Sequence, residues 1–281
     1  MFEENHSEII EYFFRFMAHK HHITEFLGKL NFNNFRKSYS VNRLIEIMKI
    51  DDNIIITRKD LTEYARNSYL PYLYNIDQQK ELIMSGKLKD HSWYEAAPSR
   101  LHLTFQKWVR LYLSGEISLS EFFKKITNVG KQELYMLIIA NITEYTIITS
   151  DETIIPNLQS KGISDVIINN LAYDVKNTHI PKTCEIDLKK NPLKFQEWLF
   201  DSGDLQRDLV TASRAPPHLG YNRIYVIIDP VERWENELNY LCKYIQKEIK
   251  KIINQEIKPH IFNRLKNNRE ITIHSHLIYP P

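Results

Sequence analysis

The sequence predicts a mixed α/β protein, with a central mixed sheet flanked by helices and a mainly helical N-terminal part. Three observations carry this. Up to about residue 128 the apolar side chains recur mostly at helical spacing. From 129 to 281, helical stretches alternate with short β-branched runs. Asn222–Ile228, Asn-Arg-Ile-Tyr-Val-Ile-Ile, reads as a buried strand bounded by Asp229-Pro230. The expected division is therefore residues 1–128 for a helical part that contacts a partner or a second copy, and 129–281 for the sheet-containing core.

In the first part, residues 7–29 carry Ile9, Ile10, Phe13, Phe14, Phe16, Met17, Phe26 and Leu27 at mixed helical spacing. Residues 41–49 and 59–67 read as helices, with a β-rich run at 53–57 between them. Residues 101–113 and 119–126 read as two more helices, the second with Ser118 or Ser120 as N-cap. In the second part, Leu134, Leu137, Ile138 and Ile142 form one stripe of a helix over 131–145. Residues 153–155 form a short strand that Pro156 closes. A helical pattern over 192–213 surrounds Phe195, Trp198, Leu199 and Leu205, with Gly203 as a possible interruption. A long amphipathic helix covers 231–254, with Trp234, Leu238, Leu241, Ile245 and Ile252 inward, and residues 270–279 form a last strand.

The most informative stretch is 164–176, Ser-Asp-Val-Ile-Ile-Asn-Asn-Leu-Ala-Tyr-Asp-Val-Lys. Two short apolar runs flank Asn169-Asn170. Asn tolerates positive φ, so this pair suits a two-residue hairpin turn. That turn pairs Ile168 with Leu171, Ile167 with Ala172, Val166 with Tyr173, and Asp165 with Asp174. The two aspartates then lie roughly 5 Å apart at Cβ, where like charges are destabilising and a compensating cation is called for. Lys176, two residues beyond Asp174, points to the same face. A longer loop would slide the register by one and turn the acids apart. The competing reading is a surface hairpin with an ordinary Asp–Lys pair.

Composition removes several classes. A net charge of +2 neither demands nor excludes a nucleic-acid partner. Cys184 and Cys242 form neither a metal spacing nor a disulfide framework, and with no signal-peptide pattern at the N-terminus the expected location is cytoplasmic. No apolar run reaches membrane-spanning length, so no membrane partner is expected. With 7 glycines and no G-x-G-x-x-G or Walker A motif, a nucleotide cofactor held by a glycine loop is not expected.

Asp165, eight residues, then Asp174-Val175-Lys176, set on consecutive strands after a helix and before a helix-strand unit, resembles the PD-(D/E)xK nuclease superfamily, which includes many type II restriction endonucleases. The resemblance covers about residues 130–230. Ser164 stands where that family often has proline. The resemblance implies a restriction-endonuclease-like core of α-β-β-β-α-β order and a Mg²⁺-dependent deoxyribonuclease activity, with Mn²⁺ able to substitute. Asp165 and Asp174 would hold the metal together with the backbone carbonyl of Val175, and Lys176 would orient the attacking water. The superfamily's helix acid is assigned to Glu133, near the helix start, in preference to Glu144. Gln206 would contact the scissile phosphate or the water, and Arg207, Arg223 and Lys182 the nucleic acid. Double-stranded DNA is the expected substrate, cut by a homodimer, because palindromic sites favour two-fold symmetry.

The expected function is a sequence-specific type II restriction enzyme. Alternatives are a phage-defence or repair nuclease of low specificity, RNA as the substrate, or an inactive nuclease-like binding protein. Basic residues Arg58, Lys59, Arg100, Lys107, Arg110, Lys124, Lys125 and Lys131 offer phosphate contacts in the N-terminal half. His19, His21 and His22 lack metal-site spacing and read as a solvated helix end. His274 and His276 share a strand face.

Overall fold

The computed structural model describes residues 6–281 except 33, 37, 51–55, 74, 87–107, 109, 127–130, 160–163, 179, 181–183, 205–220, 229–232 and 267. It is a mixed α/β fold with a six-stranded mixed sheet and helices on both faces. The helices of the first part are α1 (His6–Tyr12), α2 (Lys20–Lys29), α3 (Val41–Ile50), α4 (Arg58–Tyr69), α5 (Ile76–Met84) and α6 (Leu119–Ile126). They are followed by α7 (Lys131–Ser150), β1 (Ile155–Pro156), β2 (Val166–Ile168), β3 (Leu171–Thr178), α8 (Pro192–Leu199), β4 (Arg223–Ile227), α9 (Trp234–Ile253), β5 (His260–Lys266) and β6 (Arg269–Ile278). The expected run at 53–57 and most of the expected helix at 101–113 lie outside the described residues.

Local chemistry explains the ends of several helices. Thr57 caps α4 in a reciprocal box: its hydroxyl accepts from Asp60 N–H, and Asp60 accepts from Thr57 N–H. Ser118 and Glu121 do the same for α6, which selects Ser118 over Ser120 as the cap. The run 7–29 is not one helix. A π-helical turn at Phe13–Met17 follows α1 and buries Phe13, Phe14 and Met17 together, and extended backbone at Ala18 ends it. His22 is buried rather than solvated, hydrogen-bonded to Tyr64 Oη at 3.2 Å. His276 is buried beside Tyr173, 3.4 Å from its hydroxyl.

The strand order is β1-β2-β3-β4-β6-β5. The first three strands are antiparallel, β3, β4 and β6 run parallel, and β5 returns antiparallel to β6. The hairpin register matches the expected one, with Val166 opposite Tyr173, Ile167 opposite Ala172, and Ile168 opposite Leu171. Asn169 and Asn170 have φ of 49° and 65°, the two left-handed positions of a type I′ turn. The strand β5 was not expected from the sequence. Its turn contains Asn268 at φ 59°, from a second Asn-Asn pair that mirrors the first.

Side-chain alternation divides the core. One sheet face carries Val166, Ile168, Tyr173, Ile224, Val226 and Ile228 and packs on α5, α7 and α9. The other face is covered in patches. Ile155, Ile167 and Ala172 pack on α1 to α4 and the π-helical turn. Tyr225 and Ile227 pack on α8 through Phe195 and Leu199. The helices before residue 128 and the sheet thus share their hydrophobic cores.

The hairpin tip also secures α9, which like α7 is 20 residues long. Asn169 Nδ2 donates to the carbonyls of Ile252 and Ile253, both at 3.1 Å; the Ile252 carbonyl also accepts from Gln255 N–H at 3.0 Å, so the side chain reinforces the C-terminal end of α9. Replacing Asn169 by Ala removes this cap and forces an alanine into positive φ. The expected loss is roughly 2 kcal/mol, of which Asn169→Gly, relieved of the backbone strain, should lose only about half. Urea unfolding of the two variants measures the split, and equal losses would contradict the strained-turn account.

Candidate active site

Asp174 and Lys176 lie on the face of β3 shared with Ala172, and parallel pairing places Arg223 beside Asp174 and Tyr225 beside Lys176. This polar group falls between two apolar covers, the N-terminal helices over β1 to β3 and α8 over β4. Asn222 knits the strands there. Its carbonyl accepts from Asp174 N–H at 3.1 Å, its amide donates to Ala172 O at 3.0 Å, and its side-chain oxygen accepts from His274 N–H at 3.0 Å.

The side chains form one connected cluster. Lys176 Nζ lies 2.7 Å from Asp174 Oδ2, and Arg223 Nη1 lies 3.7 Å from the same oxygen. Asp165 Oδ2 accepts from Val175 N–H at 2.7 Å, and the Asp174 charge acts on the Asp165 carboxyl. Glu144, from α7, is close enough for its charge to act on Asp165, and that of Asp174 on it. Tyr69, the last residue of α4, donates its hydroxyl to Glu144 Oε1.

Three carboxylates thus share the site with two cations, and their protonation reflects it. Burial drives Asp165 well above the usual carboxylate range, and the neighbouring Asp174 and Glu144 charges push it further. Burial likewise raises Glu144 to about 7, with Asp174 adding to the rise and the Tyr69 hydrogen bond opposing it. Asp174 is held below its ordinary value: burial opposes ionisation, but the Lys176 and Arg223 charges outweigh it. Lys176 is raised because its acidic neighbours overcome its own desolvation.

The sequence-based expectations divide accordingly. Asp165, Asp174 and Lys176 come together, with Val175 between them through its N–H. The helix acid in the cluster is Glu144, a correction to the choice of Glu133. Glu133 stands eleven residues earlier on the same helix, about 16 Å along the axis at 1.5 Å per residue. The sequence carried both acids, and only the packing of α7 on the sheet separates them. Arg223, expected at nucleic acid, is 1% exposed and directed to Asp174, with its guanidinium 5.8 Å from the Phe200 ring centroid. A side chain so enclosed is a partner for Asp174 rather than a surface contact. Gln206, Arg207 and Lys182 lie outside the described residues. Tyr69 was not singled out, and its sequence setting holds no signal for it.

Among the described residues no group of three or more His, Cys, Asp or Glu side chains stands as a ready-made metal cage. The acids are paired inside the protein instead, Asp174 with Lys176 and Asp165 with Val175 N–H. The donor set nevertheless fits a hard divalent cation. Mg²⁺ takes only one or two protein carboxylates and keeps several waters, and the excess of buried carboxylate over cation is the imbalance that such an ion relieves.

Comparison with protein-family models, curated proteins and solved structures returns no match for the chain. No helix among the described residues is long and apolar enough to cross a membrane.

Proposed function

We propose that this chain is a Mg²⁺-dependent endonuclease of the PD-(D/E)xK type that hydrolyses DNA phosphodiester bonds as a sequence-specific restriction enzyme. The observation that supports it is the cluster of Asp165, Asp174, Lys176 and Glu144 on a helix-strand-strand-strand-helix-strand core. Four side chains from one helix and two strands meet at a single polar gap between apolar covers.

In this reading Asp165 and Asp174, with the Val175 carbonyl, would hold the cation, and Glu144 would reach it through one of the waters the ion keeps. The bound ion supplies charge neutralisation at the phosphoryl group and acidifies a water. Lys176 is placed by Asp174 to orient the attacking water and to stabilise negative charge on the phosphate. Arg223 keeps Asp174 ionised from the buried side, so that the carboxylate is ready to act as a ligand. Phosphate contacts from the basic N-terminal residues would add affinity that falls steeply with salt. A two-fold dimer follows from the class, since each subunit cuts one strand of a palindrome.

The test is incubation with supercoiled plasmid in Mg²⁺, Mn²⁺ or EDTA. Discrete bands that require the metal are the expected result. A metal-dependent smear moves the reading to a defence or repair nuclease of low specificity. Intact plasmid in both metals, with DNA binding preserved, overturns the enzymatic reading in favour of a binding protein.

A further inference from the structure

The acid cluster has a hydrogen-bond partner that arrives from the N-terminal part, on α4. Tyr69 closes α4, and its ring packs between the two largest apolar clusters of the molecule. Among the described residues its hydroxyl is the hydrogen-bond partner of the Glu144 carboxylate. A glutamate reaches its ligand position through three rotatable bonds, and without a fixed partner it would sample several directions.

Helix α4 is itself tied to both elements that carry the acids. Arg58 Nη1 donates to Asn170 Oδ1 at the tip of the hairpin that presents Asp165 and Asp174. Arg66 Nη1 donates to the Asp151 carbonyl at 2.6 Å, one residue past the end of α7, which presents Glu144. Tyr69 is therefore held in place relative to the hairpin and to α7 by contacts independent of its own hydroxyl.

Resting on the metal-dependent reading above, we propose that Tyr69 is a positioning residue of the metal site. It orients Glu144 toward the cation, so the N-terminal helical part completes the catalytic centre. Hydrogen bonds that orient a ligating carboxylate commonly affect metal affinity by 10–100-fold. Tyr69→Phe keeps the packed ring and removes only the hydroxyl.

The experiment is Mn²⁺ binding to the full-length chain without DNA, followed by electron paramagnetic resonance of the free ion. Four proteins are compared: wild type, Tyr69→Phe, Glu144→Gln and the double variant. The expected result is an affinity weakened about tenfold in Tyr69→Phe, with no further loss when that change is added to Glu144→Gln. Affinity within twofold of wild type in Tyr69→Phe overturns the proposal while leaving the metal site standing. The same fold-loss in the Glu144→Gln background also overturns it, because the tyrosine would then act on the fold in general rather than through Glu144. A wild-type chain that binds no Mn²⁺ overturns the metal-site reading and this proposal together.

Discussion

If the chain is the metal-dependent nuclease proposed above, replacing Asp174 by alanine is expected to reduce DNA cleavage below about one percent of wild type, since even outer partners of a metal ligand are worth 10–100-fold. Asp174 is the hub of the cluster. It pairs with Lys176 at 2.7 Å, faces Arg223 at 3.7 Å, and its charge acts on Asp165. On that proposal its loss would remove a ligand, and it also frees Lys176 from its 2.7 Å ion pair. The change leaves the apolar faces of β3 and β4 untouched but strips the buried Arg223 of a carboxylate partner, so urea unfolding is measured alongside, with Asp174→Asn as the variant that keeps the side-chain shape. DNA binding, measured by gel shift in EDTA, should persist while plasmid cleavage in Mg²⁺ disappears. Wild-type cleavage by the variant would remove Asp165, Asp174 and Lys176 from the chemistry.

Replacing Arg223 by alanine is expected to cost about 3–5 kcal/mol of stability, the range for stripping one partner from a buried ion pair. Three terms act together. Asp174 loses a cation that helps keep it ionised, the carbonyl of Asn222 loses its 2.9 Å donor, and a large side chain leaves a void beneath the Phe200 ring. Arg223→Met fills most of the void without the charge, so it isolates the electrostatic part. Arg223→Lys restores the charge but not the planar fork of donors, and should fall between wild type and the alanine variant. Urea unfolding at neutral pH ranks the three, and an unchanged midpoint in Arg223→Ala would show that the buried pair contributes nothing net. The outcome also bears on function, because Arg223 sits beside Asp174 on the same sheet face but is 1% exposed under Phe200, which leaves no surface for nucleic acid to touch.

Much of the framework could be read along the chain, wherever a feature depends on neighbours in sequence. The Asn169-Asn170 turn set its register because two adjacent residues tolerate positive φ, and the period of two then placed Asp174 and Lys176 on one face. The amphipathic pattern over 231–254 matched α9, whereas of the two candidate caps Ser118 and Ser120 it was the structure that selected Ser118, through Glu121. β5 was missed although the Asn267-Asn268 pair repeats the signal of the first hairpin. Its residues mix His, Asn, Arg and Lys with Ile, Phe and Leu, so the run lacks the apolar content that marked the other strands.

The site shows the same division. Asp165, Asp174 and Lys176 are close in sequence, and strand geometry alone brings them together. Choosing between Glu133 and Glu144, burying Arg223 and delivering Tyr69 from α4 are consequences of packing between segments tens of residues apart. The Tyr69–Glu144 bond spans 75 positions, and no local period or turn encodes it. The sequence by itself determined the mixed α/β class, the hairpin register and the acid-acid-lysine trio, because backbone sterics and side-chain alternation act over a few residues. The tertiary structure alone decided which helix acid joins the trio, which cation supports it and which tyrosine holds it, because those depend on how the helices dock on the two faces of the sheet.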